Sequence, residues 1–223
     1  MNEAAFLSGR QPPEDALFGR IADAIEARGL VVLPGALPIE IADALSSDVS
    51  AIAESDFHRA GIGRGTDLAL NRFVRKNRIH WIDPGRPGAS SWLDWTERLR
   101  VYLNRRLFLG LTSFESHYAI YAPGDFYKRH VDAFRGQENR VLSMVTYLNR
   151  MWTPDSGGEL VIYAQSGEND EQTIRVSPAY GTLVIFLSET FPHEVLPAIR
   201  ERCGVAGWYR VRTGDVLEDT TLT

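Results

Sequence analysis

Residues 114–132 read FESHYAIYAPGDFYKRHVD, and this stretch decides the fold class of the chain. Two runs rich in aromatic and aliphatic residues, Phe114–Tyr121 and Tyr127–Asp132, flank the turn-forming segment Ala122-Pro123-Gly124-Asp125. This pattern is typical of two strands joined by a short connection. Further short runs of the same kind follow without helical periodicity, over residues 141–148, 159–163, 173–176, 182–187 and 204–211. The sequence therefore predicts a mainly β fold of the sandwich or jelly-roll type.

The residues before this stretch have a different pattern, which is mostly helical. Amphipathic periodicity and turn residues predict helices from Pro13 to Gly29, from Pro38 through Ile52 and over Ser90–Leu107, and strands at Leu30–Leu33 and Arg78–Ile82. We expect one domain over residues 1–223. Within it, residues 1–112 supply mostly helical support and a mobile loop, residues 113–212 form the β core, and residues 213–223 form a polar tail.

Composition and charge narrow the classes of function. The net charge is −5, and the chain has no basic stripe, so we expect no nucleic-acid partner. Cys203 is the only cysteine, which excludes an intramolecular disulfide and a cysteine-based zinc site. The first eight residues lack the features of a signal peptide, and no apolar run approaches the roughly 18 residues that span a bilayer. The sequence thus predicts a soluble, cytoplasmic protein without a membrane partner.

Potential metal ligands lie in the β-rich half. His130 and Asp132 are two residues apart at the end of a predicted strand, where such residues project from the same face. With the distant His193 they provide two imidazoles and one carboxylate, the facial triad that holds non-haem Fe(II) and leaves positions open. A zinc hydrolase can use the same residue types. Taken alone, either histidine can instead be a hydrogen-bonded interior residue.

Arg202 separates the iron and zinc alternatives. It follows His193 by nine residues, and arginine binds a carboxylate through two parallel hydrogen bonds. An oxygenase that uses 2-oxoglutarate must bind the distal carboxylate of this cosubstrate, whereas a zinc hydrolase has no necessary role for the arginine. If His193 ends one strand and Arg202 lies on the next, both face one cavity, to which Tyr121 and Tyr147 can contribute hydroxyl groups. The alternative for both tyrosines is that they are ordinary strand aromatics.

The order and spacing of the motifs resemble the prolyl-hydroxylase branch of the 2-oxoglutarate/Fe(II) oxygenases, in particular the hypoxia-sensing enzymes and their bacterial relatives. The matching segments span about residues 15–212 and are Val74-Arg75, Arg78–Ile82, Tyr121–Gly124, Tyr127–Asp132, Arg140, Tyr147–Asn149, Ser156–Leu160, Pro192–Val195, Arg202 and Gly207–Tyr209. The resemblance implies a double-stranded β-helix, of the jelly-roll or cupin-like kind, with supporting helices.

The resemblance also implies roles for single residues. It implies three iron ligands: His130, Asp132 and His193. It implies three residues that bind the cosubstrate: Arg202, Tyr147 and Tyr121. On the substrate side it implies three more: Arg140, Arg75 and Trp208. The iron ligands and Arg202 are the expected catalytic residues.

The resemblance implies Fe(II) as cofactor, 2-oxoglutarate as cosubstrate, O2, and ascorbate as an optional reductant. The expected reaction is hydroxylation of C4 of a prolyl residue in a protein, with release of succinate and CO2, and a translation factor is a candidate substrate. Two alternatives stay open: hydroxylation of another residue or of a free small molecule, and a non-catalytic sensor of oxygen or 2-oxoglutarate. The expected partner is a protein with an exposed proline, and the expected oligomeric state is a monomer or homodimer.

Two positions depart from the closest eukaryotic relatives. The loop reads Arg75-Lys76-Asn77 where those relatives have Arg-Gly-Asp, so we expect the internal ion pair to be lost or replaced. Ala206 stands where they carry a hydroxyl residue near the iron site. Simpler interpretations also exist for three further residues: Arg140 as a solvated turn residue, Trp208 as a packed core aromatic, and His117 as a buried, hydrogen-bonded histidine. At the level of the fold, the remaining alternative is a metal-free, lectin-like β-sandwich.

Overall fold

The computed structural model describes residues 13–59, 75–133, 139–165 and 171–212. Three α-helices occur in these ranges: α1 (Glu14–Arg28), α2 (Ile39–Ala51) and α3 (Pro87–Leu107). The strands are β1 (Leu30–Leu33), β2 (His58–Arg59), β3 (Arg78–Trp81), β4 (Ser113–Tyr121), β5 (Tyr127–His130), β6 (Arg140–Tyr147), β7 (Leu160–Gln165), β8 (Glu171–Val176), β9 (Leu183–Leu187), β10 (His193–Val195) and β11 (Arg202–Arg210).

The strands form two antiparallel sheets. The major sheet has seven strands in the order β1-β9-β6-β11-β4-β3-β2, and the minor sheet has four in the order β5-β10-β7-β8. β11 lies in the middle of the major sheet, between β4 and β6. This arrangement confirms the predicted mainly β fold with supporting helices.

The two faces of the major sheet take part in different cores. Side chains alternate along β11, so Val205 and Tyr209 project from one face and Arg202 and Gly204 from the other. Val205 and Tyr209 pack with the buried side of α3 in the larger apolar cluster. The Tyr209 hydroxyl donates a 2.9 Å hydrogen bond to the carbonyl oxygen of Thr96 on α3. The helices therefore cover the outer face of the major sheet.

The inner core lies between the sheets. Tyr147, Val184 and Phe186 of the major sheet pack there with Leu160 and Ile162 of the minor sheet. All five side chains are at most 1% exposed. The register places Arg202 opposite Tyr121 and Gly204 opposite Tyr147, so these four residues also face the minor sheet. Polar residues at the open end of this inner layer form the candidate site.

A close contact between α2 and α3 fixes the helical layer on the sheet. A Cβ on Gly88 would lie 2.4 Å from the carbonyl oxygen of Ala44, so glycine is the only residue that permits this approach. Asp48 of α2 accepts a 2.8 Å hydrogen bond from the backbone N–H of Ala89. This carboxylate satisfies one of the free N–H groups at the start of α3 and suits its positive end.

The predicted elements agree with the structure except at some boundaries. α3 begins at Pro87 and not at Ser90, because proline fits the first turn of a helix. β5 ends at His130, two residues before the predicted end, and the short strands β2 and β10 were not predicted. The expected mobile loop falls mainly on residues 60–74 and the polar tail on residues 213–223, both outside the described residues. None of the described helices is long and apolar enough to cross a bilayer.

Candidate active site

Three potential metal ligands meet at the end of the minor sheet. His130 ends β5 and His193 begins β10, and the two residues are paired in the register. Asp132 lies in the bend after β5, not on the strand as predicted. Its Oδ1 is 3.6 Å from Nε2 of His130, and its Oδ2 is 3.6 Å from Nε2 of His193. The three ligand atoms lie within 4.8 Å of one another, an arrangement that can hold one metal ion.

Backbone carbonyl groups orient both imidazole rings. Nδ1 of His130 is 2.8 Å from the carbonyl oxygen of Lys128, and Nδ1 of His193 is 3.0 Å from that of Phe191. A carbonyl oxygen only accepts, so in the neutral ring each Nδ1 carries the proton and each Nε2 carries the lone pair. A metal requires this tautomer when Nε2 is the ligand atom.

Two serines orient the carboxylate of Asp132. The Ser143 hydroxyl on β6 donates a 2.7 Å hydrogen bond to Oδ2 of Asp132 and lies 2.9 Å from the hydroxyl oxygen of Ser188. Ser143 is 1% exposed and Ser188 is fully buried. The chain Ser188–Ser143–Asp132 therefore links the carboxylate to the major sheet and limits its rotation.

The protonation states suit a divalent cation. Burial alone would raise the pKa of the Asp132 carboxyl, but the two histidines and the Ser143 hydroxyl outweigh it and hold the pKa below its usual range. Burial lowers the pKa of His193, although the charge of Asp132 acts in the opposite direction. An ionised carboxylate and a neutral imidazole are the forms that bind a metal.

Arg202 is a buried cation at the start of β11. Its side chain is 3% exposed, and Nε donates a 2.9 Å hydrogen bond to the carbonyl oxygen of Gly158. No carboxylate in the described part of the chain lies within 4.0 Å of its guanidinium group. Because Nε is already bonded, the two terminal nitrogens are left for a ligand. A buried charge without a counter-charge is costly, so the group suits a carboxylate ligand.

Gly158 holds its carbonyl oxygen towards Arg202 through an unusual backbone conformation. Its φ is +73°, and an added Cβ would lie 2.9 Å from Cβ of Ala198 and 3.3 Å from Cδ of Arg202. Only glycine combines this φ with so little space. Gly158 of the Ser156–Leu160 motif therefore has a direct structural role in orienting Arg202.

Two tyrosine rings flank the guanidinium group of Arg202. Its Cζ lies 4.8 Å from the ring centroid of Tyr121 and 5.0 Å from that of Tyr147. The Tyr147 hydroxyl is buried and has no hydrogen-bond partner among the described residues. Burial raises the pKa of Tyr147 to about 12, so the hydroxyl is a protonated donor. A buried donor that lacks an acceptor beside a cation again indicates an anionic oxygen ligand.

One cavity between the sheets connects two of the candidate metal ligands, His130 and His193, with this cation. Its polar lining includes His130, His193, Tyr121, Tyr127 and Arg202. The rest of the lining is apolar or glycine: Ala119, Val145, Leu160, Val195, Gly204 and Val205. The chemistry of this lining suits a small dicarboxylate that has one end at the metal and the other at Arg202. The apolar walls would then contact the part of the ligand between its two polar ends.

Tyr127 and Arg75 extend the site beyond His130. The guanidinium group of Arg75 lies 4.6 Å from the ring centroid of Tyr127, which stacks in turn on the ring of His130. Nε of Arg75 donates a 2.6 Å hydrogen bond to Oδ1 of Asn77. A hydrogen bond to a neutral amide therefore stands where the resemblance implies an ion pair in the eukaryotic relatives. Val74 and the preceding residues of the loop are outside the described ranges.

Arg140 and Trp208 form a cation–aromatic pair on the neighbouring strands β6 and β11. The guanidinium group of Arg140 lies 3.7 Å from the ring centroid of Trp208 and donates a 3.0 Å hydrogen bond to Oε1 of Glu115. Oε2 of Glu115 also accepts a 2.7 Å hydrogen bond from Arg210. Arg140 is thus not a solvated turn residue, and Trp208 is both packed, at 7% exposed, and in contact with this cation.

Sequence reasoning missed some residues that the fold brings to the site. Ser143 and Ser188 were not singled out, because a serine in a strand carries no local signal and their contact depends on the pairing of β6 with β9. Tyr127 belongs to the motif Tyr127–Asp132, and its position three residues before His130 is the signal that could have identified it. The predicted site residues that line the cavity are His130, His193, Tyr121 and Arg202, whereas Asp132, Tyr147, Arg75, Arg140 and Trp208 are not in its lining.

Comparison with known proteins agrees with the geometry. A family model described as the 2OG-Fe(II) oxygenase superfamily matches residues 116–210. A prolyl-4-hydroxylase from Pseudomonas putida has 37% sequence identity and a TM-score of 0.79, and the match covers 88% of this chain and 100% of that one.

Two other solved structures share the fold at lower identity. A prolyl hydroxylase from Trichoplax adhaerens, in complex with a peptide fragment of the hypoxia inducible factor oxygen degradation domain, has 23% identity and a TM-score of 0.76, with 94% of each chain covered. A prolyl 4-hydroxylase from Phytophthora capsici has 21% identity and a TM-score of 0.69, covering 97% of this chain and 72% of that one. The chain belongs to the 2OG-Fe(II) oxygenase superfamily, in its prolyl 4-hydroxylase branch, and is a jelly-roll dioxygenase that uses Fe(II), 2-oxoglutarate and O2.

Proposed function

We propose that this dioxygenase hydroxylates C4 of a prolyl residue in a protein substrate, with release of succinate and CO2. The observation that supports it most is the single cavity that joins two of the metal ligands to the buried Arg202. The similarity to the Pseudomonas putida prolyl-4-hydroxylase at 37% identity supports the proline specificity. A translation factor is the substrate class that we would test first.

The roles proposed for the residues follow from the contacts above. His130, Asp132 and His193 hold Fe(II), which together with 2-oxoglutarate and O2 supplies the oxidising power to hydroxylate an unactivated carbon. Arg202 binds the C5 carboxylate of the cosubstrate with its two terminal nitrogens. The Tyr147 hydroxyl donates to the same carboxylate, and the Tyr121 ring packs beside it. The apolar walls exclude water from the reacting carbon.

Arg75, Arg140 and Trp208 are proposed to bind the substrate. They combine two cations with aromatic surface. A peptide has carbonyl oxygens for such cations and apolar side chains for the indole. The structure of the Trichoplax adhaerens enzyme with a peptide fragment supports this choice over a free small molecule.

A mass-spectrometric search tests the proposal. The purified protein is incubated with Fe(II), 2-oxoglutarate and a cell extract, and proteins are searched for prolines that gain one oxygen atom. Amino-acid analysis of the product then distinguishes 4-hydroxyproline from other isomers. We expect one or a few modified proteins, and no modification with His130→Ala. Arg202→Lys should raise the KM for 2-oxoglutarate about 100-fold, because the fork of donors is lost.

Succinate release separates the enzyme from its alternatives. An enzyme should release succinate faster when its true substrate is added, whereas a non-catalytic sensor of oxygen or 2-oxoglutarate should bind both ligands without this response. Oxygen added to a residue other than proline, or to a small molecule in the extract, would replace the substrate part of the proposal.

We extend the proposal to the setting of the enzyme. A cytoplasmic location fits iron and 2-oxoglutarate supply, and ascorbate is proposed as an optional reductant that keeps iron in the ferrous state. We also propose a single domain over residues 1–223, acting as a monomer or homodimer without nucleic acid. Light scattering with the active protein measures the mass, and limited proteolysis tests the single domain.

A further inference from the structure

A β-bulge on β6 brings Arg140 to the inner face of the major sheet. Trp208 and Arg210 are two residues apart on β11 and project from the same face. Trp208 is opposite Ser143 on β6. Arg210 is opposite Arg140, which precedes Ser143 by three residues, so β6 has one residue more than β11 between the two pairs. A bulge of this kind re-aims a side chain, and Arg140 projects beside Arg210 although Leu142, two residues later, packs in the outer core.

Arg140 and Arg210 share one carboxylate, that of Glu115 on β4. Oε1 of Glu115 accepts hydrogen bonds of 3.0 and 3.3 Å from Nη2 and Nε of Arg140, and Oε2 accepts one of 2.7 Å from Nη1 of Arg210. Among the residues that the structure describes, no other carboxylate lies within 4.0 Å of either guanidinium group. The cluster therefore has one excess positive charge. Because like charges on directly opposite residues repel, an additional anion would stabilise it.

Each guanidinium group keeps one terminal nitrogen for a ligand. The Cζ of Arg140 lies 3.7 Å from the ring centroid of Trp208, which fixes the plane of this group. Nε of Arg210 donates a 3.1 Å hydrogen bond to Oδ1 of Asn139. In the described part of the chain, Nη1 of Arg140 and Nη2 of Arg210 donate to no acceptor. The two side chains are 19% and 28% exposed, so the cluster is ordered by its neighbours and open to solvent.

The cluster lies near the candidate metal ligands and outside the cosubstrate cavity. Trp208 is directly opposite Ser143, whose hydroxyl donates to Oδ2 of Asp132. Arg140 is three residues from Ser143 along β6, a distance of about 10 Å. The lining of the cavity that contains Arg202 includes neither arginine of the cluster. An anion bound at the cluster is therefore distinct from 2-oxoglutarate, and a substrate bound at the metal can reach this position.

We propose that Arg140 and Arg210 bind the carboxylate of an aspartate or glutamate of the protein substrate, within about three positions of the target proline. This inference rests on the proposed function as a protein prolyl hydroxylase and adds an acidic residue to the substrate. An extended peptide rises about 3.3 Å per residue, so the distance of about 10 Å gives the spacing. The two oxygens of a carboxylate can each accept from one guanidinium group. The cluster thus determines which prolines the enzyme selects.

Pairs of synthetic peptides test this preference for charge. Each peptide has one central proline and a glutamate at one of the three positions before or after it, and its partner has glutamine at the same position. With the enzyme in the presence of Fe(II) and 2-oxoglutarate, the glutamate peptide should have a KM about tenfold below that of its glutamine partner at one position or two adjacent ones. Added salt should reduce this ratio, because the cluster is partly exposed.

Variants assign the preference to the cluster. Arg210→Gln removes one guanidinium group, and the ratio of the two KM values should fall to about twofold. Arg210→Glu reverses the charge and should make a lysine peptide better than the glutamate peptide at the same position. Arg175→Gln, at an exposed position of β8, is the matched control and should keep the full ratio. Since each ratio compares two peptides on one protein, a general loss of activity or stability does not change it.

The inference and the proposed function fail in different ways. If the peptides are hydroxylated with equal KM values in every pair, the inference is overturned and the proposed function stands. A full ratio retained in Arg210→Gln would also overturn the inference, because the preference would then come from elsewhere. If the wild-type enzyme hydroxylates no prolyl peptide of the set, the proposed function fails, and this inference fails with it.

Discussion

The ring of Tyr127 lies flat on the ring of His130, with centroids 3.5 Å apart and planes inclined by only 16°. The guanidinium group of Arg75 lies 4.6 Å from the centroid of the Tyr127 ring. A proposed iron ligand is therefore stacked on an aromatic ring that is itself in contact with a cation. The stack fixes the rotation of the imidazole plane, which the single hydrogen bond of Nδ1 leaves free to tilt.

Replacement of Tyr127 should weaken metal binding. Tyr127→Leu removes the stacked ring, so His130 samples more orientations and the affinity for Fe(II) should fall about tenfold. Anaerobic titration of Fe(II) in the presence of 2-oxoglutarate measures this through the visible charge-transfer absorption. Tyr127→Phe is the matched control, because it keeps the ring and loses only the hydroxyl. Equal affinities for the Leu and Phe variants would contradict the role of the stack.

Removal of the Ser143 hydroxyl should make metal binding more sensitive to acid. The pKa of Asp132 is held low, and Ser143 is one of the groups that lower it. A carboxylate with a depressed pKa contributes its binding above that pKa and loses it as the pH falls through it, because protons compete with the metal. Ser143→Ala raises the pKa of Asp132 and should shift the pH midpoint of metal release upwards, with a loss of about tenfold in affinity at neutral pH.

The control for this change is Ser188→Ala. Ser188 contacts Asp132 only through Ser143, so its removal should shift the midpoint less. The midpoint is measured by following metal release during acid titration. A larger shift of the midpoint for Ser188→Ala than for Ser143→Ala would contradict a series of hydrogen bonds in which Ser188 acts on Asp132 only through Ser143.

Tyr147→Phe should change stability and cosubstrate binding in opposite directions. In the protein without cosubstrate the Tyr147 hydroxyl is buried and unpaired, so its removal should stabilise the fold by about 1 kcal/mol. The same change should raise the KM for 2-oxoglutarate about tenfold, because a donor to the C5 carboxylate is lost. Urea unfolding and steady-state kinetics measure the two quantities. A destabilised Tyr147→Phe protein with an unchanged KM for 2-oxoglutarate would contradict the proposal that the Tyr147 hydroxyl binds the cosubstrate.

Gly158→Ala should reduce both stability and affinity for 2-oxoglutarate. The φ of Gly158 is +73°, a backbone conformation that costs free energy in alanine, and the added Cβ would in addition lie only 2.9 Å from Cβ of Ala198. Gly35→Ala is a matched control, since its φ is +62° and nothing lies within 4 Å of its added Cβ. The control should lose about 1 kcal/mol of unfolding free energy, and Gly158→Ala should lose more. Only Gly158→Ala should raise the KM for 2-oxoglutarate, because only there does the Cβ displace Arg202.

The fold and the candidate metal ligands could be predicted from the sequence because their signals are local. Strand periodicity between Phe114 and Tyr121 and the turn after it are encoded by adjacent residues, and β4 lies within one residue of the prediction. The position of Asp132 shows the limit of such reasoning. Alternation on a strand predicted that it faces the metal, yet β5 ends at His130 and a bend brings the carboxylate there.

The hydrogen bonds that support the candidate ligands and Arg202 could not be predicted from the sequence, because they depend on the register between strands that are distant in the chain. Ser143 approaches Asp132 only once β6 is paired with β9 and β11 at a particular offset. The hydrogen bond from Arg202 to Gly158 joins residues 44 positions apart, and no local pattern announces it. The Asn77 position was predicted in part: the charge change was visible, but the hydrogen bond to Arg75 that replaces the ion pair required the structure.

The position of Asp132 between the sheets has a consequence for the fate of the protein in a cell. Its carboxylate is held by Ser143 of the major sheet, while His130 and His193 belong to the minor sheet. An ion bound there ties one layer of the jelly roll to the other, and an ion bound only by the folded state stabilises it by about 4 kcal/mol at a thousandfold excess over Kd. Iron starvation should therefore shorten the lifetime of this protein as well as stop its catalysis, so that its abundance follows the iron supply.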